Sequence, residues 1–159
     1  MLRTNGWSDE VLPKPRLERL VSSPHSVTPH YTGSCLCGGV RFELTAELEP
    51  IEVCYCQMCR KASGGPLAAN SSIAASRFRI TSGAELIRGY ESTPGETRHF
   101  CGRCGSPIYS AHVERPQVVR LRVGAINEPL NVRPSASYYT ASKCSWWEIL
   151  DALPRFERE

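Results

Sequence analysis

From Gly38 onward apolar and polar residues alternate, with Val40, Phe42 and Leu44 on one side and Arg41, Glu43 and Thr45 on the other. A period of two predicts a half-buried strand. Ile51, Val53 and Tyr55 repeat the pattern. Residues two apart in a strand share a side, so that register sends Cys54 and Cys56 together to the opposite face. Further strand-like runs are F-R-I at 78–80, R-H-F-C at 98–101, P-I-Y-S-A at 107–111, V-V-R-L-R-V at 118–123 and S-Y-Y-T at 137–140. Helical signals are few. Ser145 followed by Glu148 has the spacing of a capping box, so S-W-W-E-I-L-D-A-L predicts a short helix or helical turn, and Q-M-C-R-K-A-S predicts another turn of helix. With no internal repeat, the class read from the pattern is mainly β.

The chain has 159 residues. That length fits one domain burying about two-thirds of the surface its unfolded chain would expose. Residues 1–30, rich in Pro, Ser and charge, read as an N-terminal extension, and 31–159 as the domain proper. The N-terminus lacks the apolar core of a signal peptide, and no run approaches the roughly 18 apolar residues of a membrane span. These features predict a cytoplasmic protein without a membrane partner, and in a reducing compartment clustered cysteines are metal ligands or catalytic groups rather than bridges. The formal charge is +3. Seven thiolates holding two Zn²⁺ would bring it to zero, and there is no block of Lys and Arg, so the charge predicts no nucleic-acid partner.

All eight cysteines fall in or near groups: Cys35 and Cys37 as C-x-C, Cys54, Cys56 and Cys59 as C-x-C-x2-C, Cys101 and Cys104 as C-x2-C, and a lone Cys144. A C-x-C and a C-x2-C are each a two-point chelate, and two of them together make the closed four-thiolate site of structural zinc. The glycines that follow, in C-L-C-G-G and C-G-R-C-G, let the backbone turn around a metal. Pairing Cys35 and Cys37 with Cys101 and Cys104 leaves the trio. Three protein ligands plus one open position is the layout of catalytic zinc. The alternative is that Cys144 closes the trio, making the protein a zinc-stapled binding module for protein or nucleic acid.

Among other candidates, Arg60 and Lys61 follow the trio and either hold an anionic ligand or form a solvated turn that balances the thiolates. His99 reads as a strand histidine rather than a ligand, Trp146 and Trp147 as core rather than pocket lining. There is no G-x-S-x-G, no G-x-x-x-x-G-K and no H-E-x-x-H, and no carboxylate pair stands out.

With these residues assembled, the chain resembles the glutathione-dependent formaldehyde-activating enzyme family, whose domain is shared with a centromere protein. The carrying motifs are G-S-C-L-C-G-G-V-R-F, C-Y-C-Q-M-C-R-K-A-S-G, R-H-F-C-G-R-C-G-S-P-I-Y and S-K-C-S-W-W-E-I-L-D-A-L-P-R-F. The resemblance implies a zinc-bearing β-tent fold, a carbon-sulfur lyase and glutathione with formaldehyde as type substrates. Carried over by position, it implies structural zinc on Cys35, Cys37, Cys101 and Cys104, and catalytic zinc on Cys54, Cys56 and Cys59. The chain departs from the family pattern at Ser137, where many members have His, and at Cys144-Ser145, where many have Ala-Pro.

Overall fold

A computed structural model describes residues 30–158. The extension expected over 1–30 lies outside the described residues apart from His30. Eleven strands and one α-helix follow in chain order: β1 (Tyr31–Ser34), β2 (Arg41–Leu44), β3 (Ile51–Cys54), α1 (Gln57–Ser63), β4 (Ala68–Ala74), β5 (Phe78–Ser82), β6 (Ile87–Thr93), β7 (Glu96–Cys101), β8 (Pro107–His112), β9 (Val118–Arg122), β10 (Pro134–Tyr138) and β11 (Arg155–Phe156). The class is mainly β, as the pattern predicts. A small sheet is ordered β1-β2-β5 and a large one β11-β10-β3-β4-β9-β8-β7-β6. Pairing is antiparallel except at one end of the large sheet, where β3, β10 and β11 run parallel.

The alternation in β2 buries Phe42 and Leu44, which join Val40, Ile73, Val119 and Leu121 in one core between the sheets. Burying one such side chain contributes about 1.5–3 kcal/mol. Phe42 packs on Phe78 within the small sheet at 5.5 Å between centroids, and Phe78 links the layers by meeting Tyr109 of the large sheet at 5.1 Å. Gly33 is required here, because a Cβ would run into the Phe42 ring.

The register of the large sheet separates two faces. Ser71, Leu121, Tyr109 and His99 lie opposite one another along one row, and Leu121 and Tyr109 belong to the core. The next row on the other face is polar: Glu52 pairs Asn70 and Asn70 pairs Arg122, while Ser72, Arg120, Ser110 and Arg98 align across β4, β9, β8 and β7. Directly opposed residues project to the same side, so β3, β4, β9, β8 and β7 together present a charged surface away from the core. Cys54, at the end of β3, lies on that side.

Four strands lie outside the runs read from the sequence, β1, β4, β6 and β11, and β4 and β6 carry no signal that alternation could reveal. In β4, Ala68, Asn70, Ser71 and Ile73 are all buried, so small and polar residues fill a central strand, and β6 is an edge strand whose residues are mostly exposed. Of the short helix or helical turn expected from Ser145, the turn is what forms. A single turn closes there, Trp147 N donating to Cys144 O at 3.2 Å, and the segment leaves Trp146 and Leu150 exposed. A short helix with no apolar face to bury is marginal in water. Among the described residues no helix is long and apolar enough to cross a membrane.

Candidate metal centres and active site

The turn between β1 and β2 carries Cys35 and Cys37, and the turn between β7 and β8 carries Cys101 and Cys104. Gly38 at φ 68° and Gly105 at φ 76° occupy the left-handed region these turns need. The four sulfurs lie within 4.8 Å of one another. Cys35 Sγ is 3.5 Å from Cys37 Sγ and accepts from Val40 N at 3.2 Å. Ser106 Oγ accepts from Leu36 N at 3.0 Å and stands 3.3 Å from Cys104 Sγ. That contact holds the Cys104 thiol down to about 5. The set is buried at Cys35 and Cys101 and closed by number, with four donors converging from two turns.

The second group is built locally. Strand β3 ends at Cys54, Cys56 is the extended N-cap of α1, and Cys59 lies buried in its first turn. Cys56 Sγ accepts from Cys59 N at 3.3 Å, so one side chain both caps the helix and joins the cluster. Gly64 ends the helix in the left-handed conformation at φ 69°. The three sulfurs lie within 4.8 Å of one another, and Cys144, although buried, stands outside that group. The hydrogen bond from Cys54 holds Cys59 down to about 5, and the same bond, with burial, pushes Cys54 well up. Cys59 therefore carries the thiolate of this pair. All eight cysteines are free.

Cys54, alone of the trio, lines a cleft of about 290 Å³ along the polar face, together with Glu52, Arg120, Glu96, His112 and Tyr139 among others. Arg120 pairs with Glu52 across its floor. Tyr139 packs against the trio with φ 56°, the one non-glycine residue of positive φ among those described. Held backbone strain of this kind costs about 1–3 kcal/mol and collects at functional sites.

The other residues singled out in the sequence lie elsewhere. Arg60 Nε donates to Tyr55 O and Nη2 to Ser142 O, both at 3.1 Å, which ties α1 to the C-terminal segment, and Lys61 is exposed. Neither lines the cleft. His99 stacks on Tyr109 at 4.2 Å with Nδ1 buried and without a partner, apart from both thiol groups. Trp146 and Trp147 are exposed rather than core. Sequence reasoning missed Arg98 and Arg122, which approach Cys59 from β7 and β9. The only local signal was the spacing of Arg120 and Arg122 in V-V-R-L-R-V, which places both on one face.

The structure is thus a mainly β domain with one four-thiol and one three-thiol group that could each hold a metal ion, and with a charged cleft at the second. More specifically, the sequence model of the family described as glutathione-dependent formaldehyde-activating enzyme matches residues 30–142, and the chain belongs to that family. A Halomonas elongata protein named "Putative glutathione-dependent formaldehyde-activating enzyme" is 36% identical over 126 residues, covering 74% of this chain and 79% of that one. An uncharacterized lyase of Schizosaccharomyces pombe is 30% identical over 84 residues, 53% of this chain and 59% of its own. The crystal structure of a Rhodobacter sphaeroides protein shares the fold, with TM-score 0.54, 23% identity, and coverage of 65% of this chain and 99% of that one.

Proposed function

We propose that the protein is a zinc-dependent carbon-sulfur lyase acting on the adduct of a thiol, glutathione in the first instance, with formaldehyde or a related small aldehyde. The observation that carries this reading is the contrast between a closed set of four sulfurs and a set of three whose Cys54 lines a charged cleft. Sulfur-only donor sets suit Zn²⁺. Cys35, Cys37, Cys101 and Cys104 would hold a structural ion, and Cys54, Cys56 and Cys59 a catalytic one, two per chain. When bound by three protein ligands, zinc supplies a position that takes a thiol and lowers its pKa from about 8.5, favouring thiolate at neutral pH.

The reaction balances as an addition. The thiol loses its proton, its sulfur forms a bond to the carbonyl carbon, the C=O π pair moves to oxygen, and the oxygen takes up a proton. In reverse, the carbon-sulfur bond breaks and thiol and aldehyde are released. The chain's own residues would bind and orient the thiol: Glu52 and Glu96 offer charge to an ammonium group, Arg120 and Arg115 to carboxylates, all along the cleft that begins at Cys54. Mixed charge of this kind suits a zwitterionic thiol such as glutathione. The anion-binding role considered for Arg60 and Lys61 falls instead, in this reading, to Arg120 on β9 and to Arg115 in the loop before it. In this reading residues 31–159 form the functional unit and residues 1–30 an extension to it.

Calorimetric titration of the zinc-loaded protein tests the reading. Glutathione should bind more tightly than its S-methyl derivative, which has no thiolate to give, and Cys144→Ala should keep that preference. NMR of formaldehyde and glutathione should show faster adduct exchange with protein than without. Equal affinity for the two ligands would remove the mechanism.

A further inference from the structure

Three arginines stand on the polar face near the trio, and they differ in how their charge is met. Arg120 has a carboxylate partner in Glu52. Among the described residues, Arg98 and Arg122 have none. Arg122 is 8% exposed and hydrogen-bonds the neutral Asn70 Oδ1. Burial, and then the neighbouring Arg98 charge, act against its protonated form, while the Cys59 thiolate favours it. Arg98 is aimed at the trio: Nε donates to Ser92 Oγ at 2.9 Å, and Nη1 and Nη2 each stand 3.9 Å from Cys59 Sγ. A buried cation without a counter-ion costs several kcal/mol, so the buried Arg122, together with the partly buried Arg98 guanidinium that faces Cys59 Sγ, marks a place where negative charge is held.

The amount of charge is informative. Three thiolates on a divalent ion leave one net negative charge, and a fourth thiolate makes it two. Two guanidiniums overcompensate the first state and neutralise the second. We infer that Arg98, positioned by Ser92 and backed by Arg122, stabilises the thiol-bound state of the trio by donating to Cys59, and so sets how tightly an anionic fourth ligand is taken. This role rests on the function proposed above and extends it. It differs from recognition of the thiol's carboxylates, because charge compensation at sulfur acts on any thiol whatever its tail carries.

The four-thiol group lacks this arrangement. Cys37 is exposed and Leu36 beside it is 89% exposed, so water screens that cluster and no buried cation is required.

The test uses cobalt-loaded full-length protein, following the sulfur-to-metal absorption that changes as thiol is added, with glutathione and 2-mercaptoethanol as probes. Arg98→Gln should weaken both thiols alike, on the order of 10- to 100-fold, the size of a hydrogen bond to a charged group. Metal content and melting temperature should not change. Arg98→Lys should recover part of the affinity, since it keeps the charge and loses the two-pronged donor. Unchanged affinity in Arg98→Gln would overturn the inference, and so would a loss confined to glutathione, which would make Arg98 a carboxylate reader. Loss of metal from both variants would reduce it to a structural residue. If the unmodified protein shows no response to either thiol, the proposed function falls and takes this inference with it, whereas a normal response in Arg98→Gln removes this inference alone.

Discussion

In the proposed reading the two thiol groups use the same atoms for opposite ends. The four-thiol group joins turns 64 residues apart in sequence, as Cys37 and Cys101 measure it, and clips the small sheet to the large one. The trio lies within six residues and clips nothing distant. A cross-link that closes a long loop removes much more freedom from the unfolded chain than one that closes a short loop, so span separates a staple from a reactive site as much as ligand number does. Backbone packs tightly beside the four-thiol group, where Gly102 N donates to Leu86 O at 2.7 Å and a Cβ added at Gly83 would run into the Gly39 carbonyl, whereas Cys54 of the trio lines a cleft.

The sharpest way to break the comparison is Cys101→Ala. A structural zinc contributes about 10–16 kcal/mol, against about 5–15 kcal/mol for the net stability of a domain, so the variant should be unfolded by circular dichroism and carry no zinc at that site. An intact, zinc-loaded Cys101→Ala would reverse the assignment of staple and active site. Next in size is Gly83→Ala. Gly83 sits at φ 73°, and a Cβ there would meet Gly39 backbone just past Cys37. Strain and overlap together should cost roughly 2–5 kcal/mol in a denaturant titration without changing thiol affinity.

Smaller in stability, but decisive for function, is the pair Cys56→Ala and Cys56→Ser. The alanine variant loses the N-cap acceptor and should drop about 1 kcal/mol, the serine variant should keep most of it, and both should lose the preference for glutathione over its S-methyl derivative. Collapse of both folds would show the trio to be a second staple. The smallest effect sharpens the frame around the staple. Glu128 accepts from Thr32 N at 2.7 Å and from Thr32 Oγ1 at 2.6 Å, and these bonds hold its carboxyl below the ordinary value of 4.5. Because the folded form binds its proton less readily than the unfolded chain, the stabilisation is present above about pH 4.5 and is lost as pH falls through the lowered folded value. Glu128→Gln should therefore lower the melting temperature slightly at neutral pH and flatten its fall on acidification below pH 4.5.

Much of this molecule is local and could be read from spacing. The strands around Phe42, Val53, Ile108 and Leu121 announce themselves by alternation, and the chelates C-x-C, C-x2-C and C-x-C-x2-C set their sulfurs close whatever surrounds them. The turn of helix at Q-M-C-R-K-A-S forms where the trio places it. What failed locally failed for stated reasons: β4 is central and filled with Ala, Asn and Ser, and β6 is an edge with no apolar side. S-W-W-E-I-L offers a cap without a face to bury, and a single turn is what forms.

The sequence by itself determined a mainly β chain with grouped thiols and a spare trio, because a strand period and a chelate spacing are properties of a few consecutive residues. Only the tertiary structure decided that Cys144 stays out of the trio's group, that Arg60 is spent on two carbonyls, and that Arg98 faces Cys59 with the buried Arg122 charge acting on the same thiol. Those outcomes depend on the register of β7, β8 and β9 beside β4 and β3, and a shift of one residue in any of these strands would turn the arginines to the core face. Register is fixed by the summed burial of Leu121, Val119, Ile73 and Tyr109 on the other side of the sheet. The apolar face, which does no chemistry, therefore sets the charges that face the thiols.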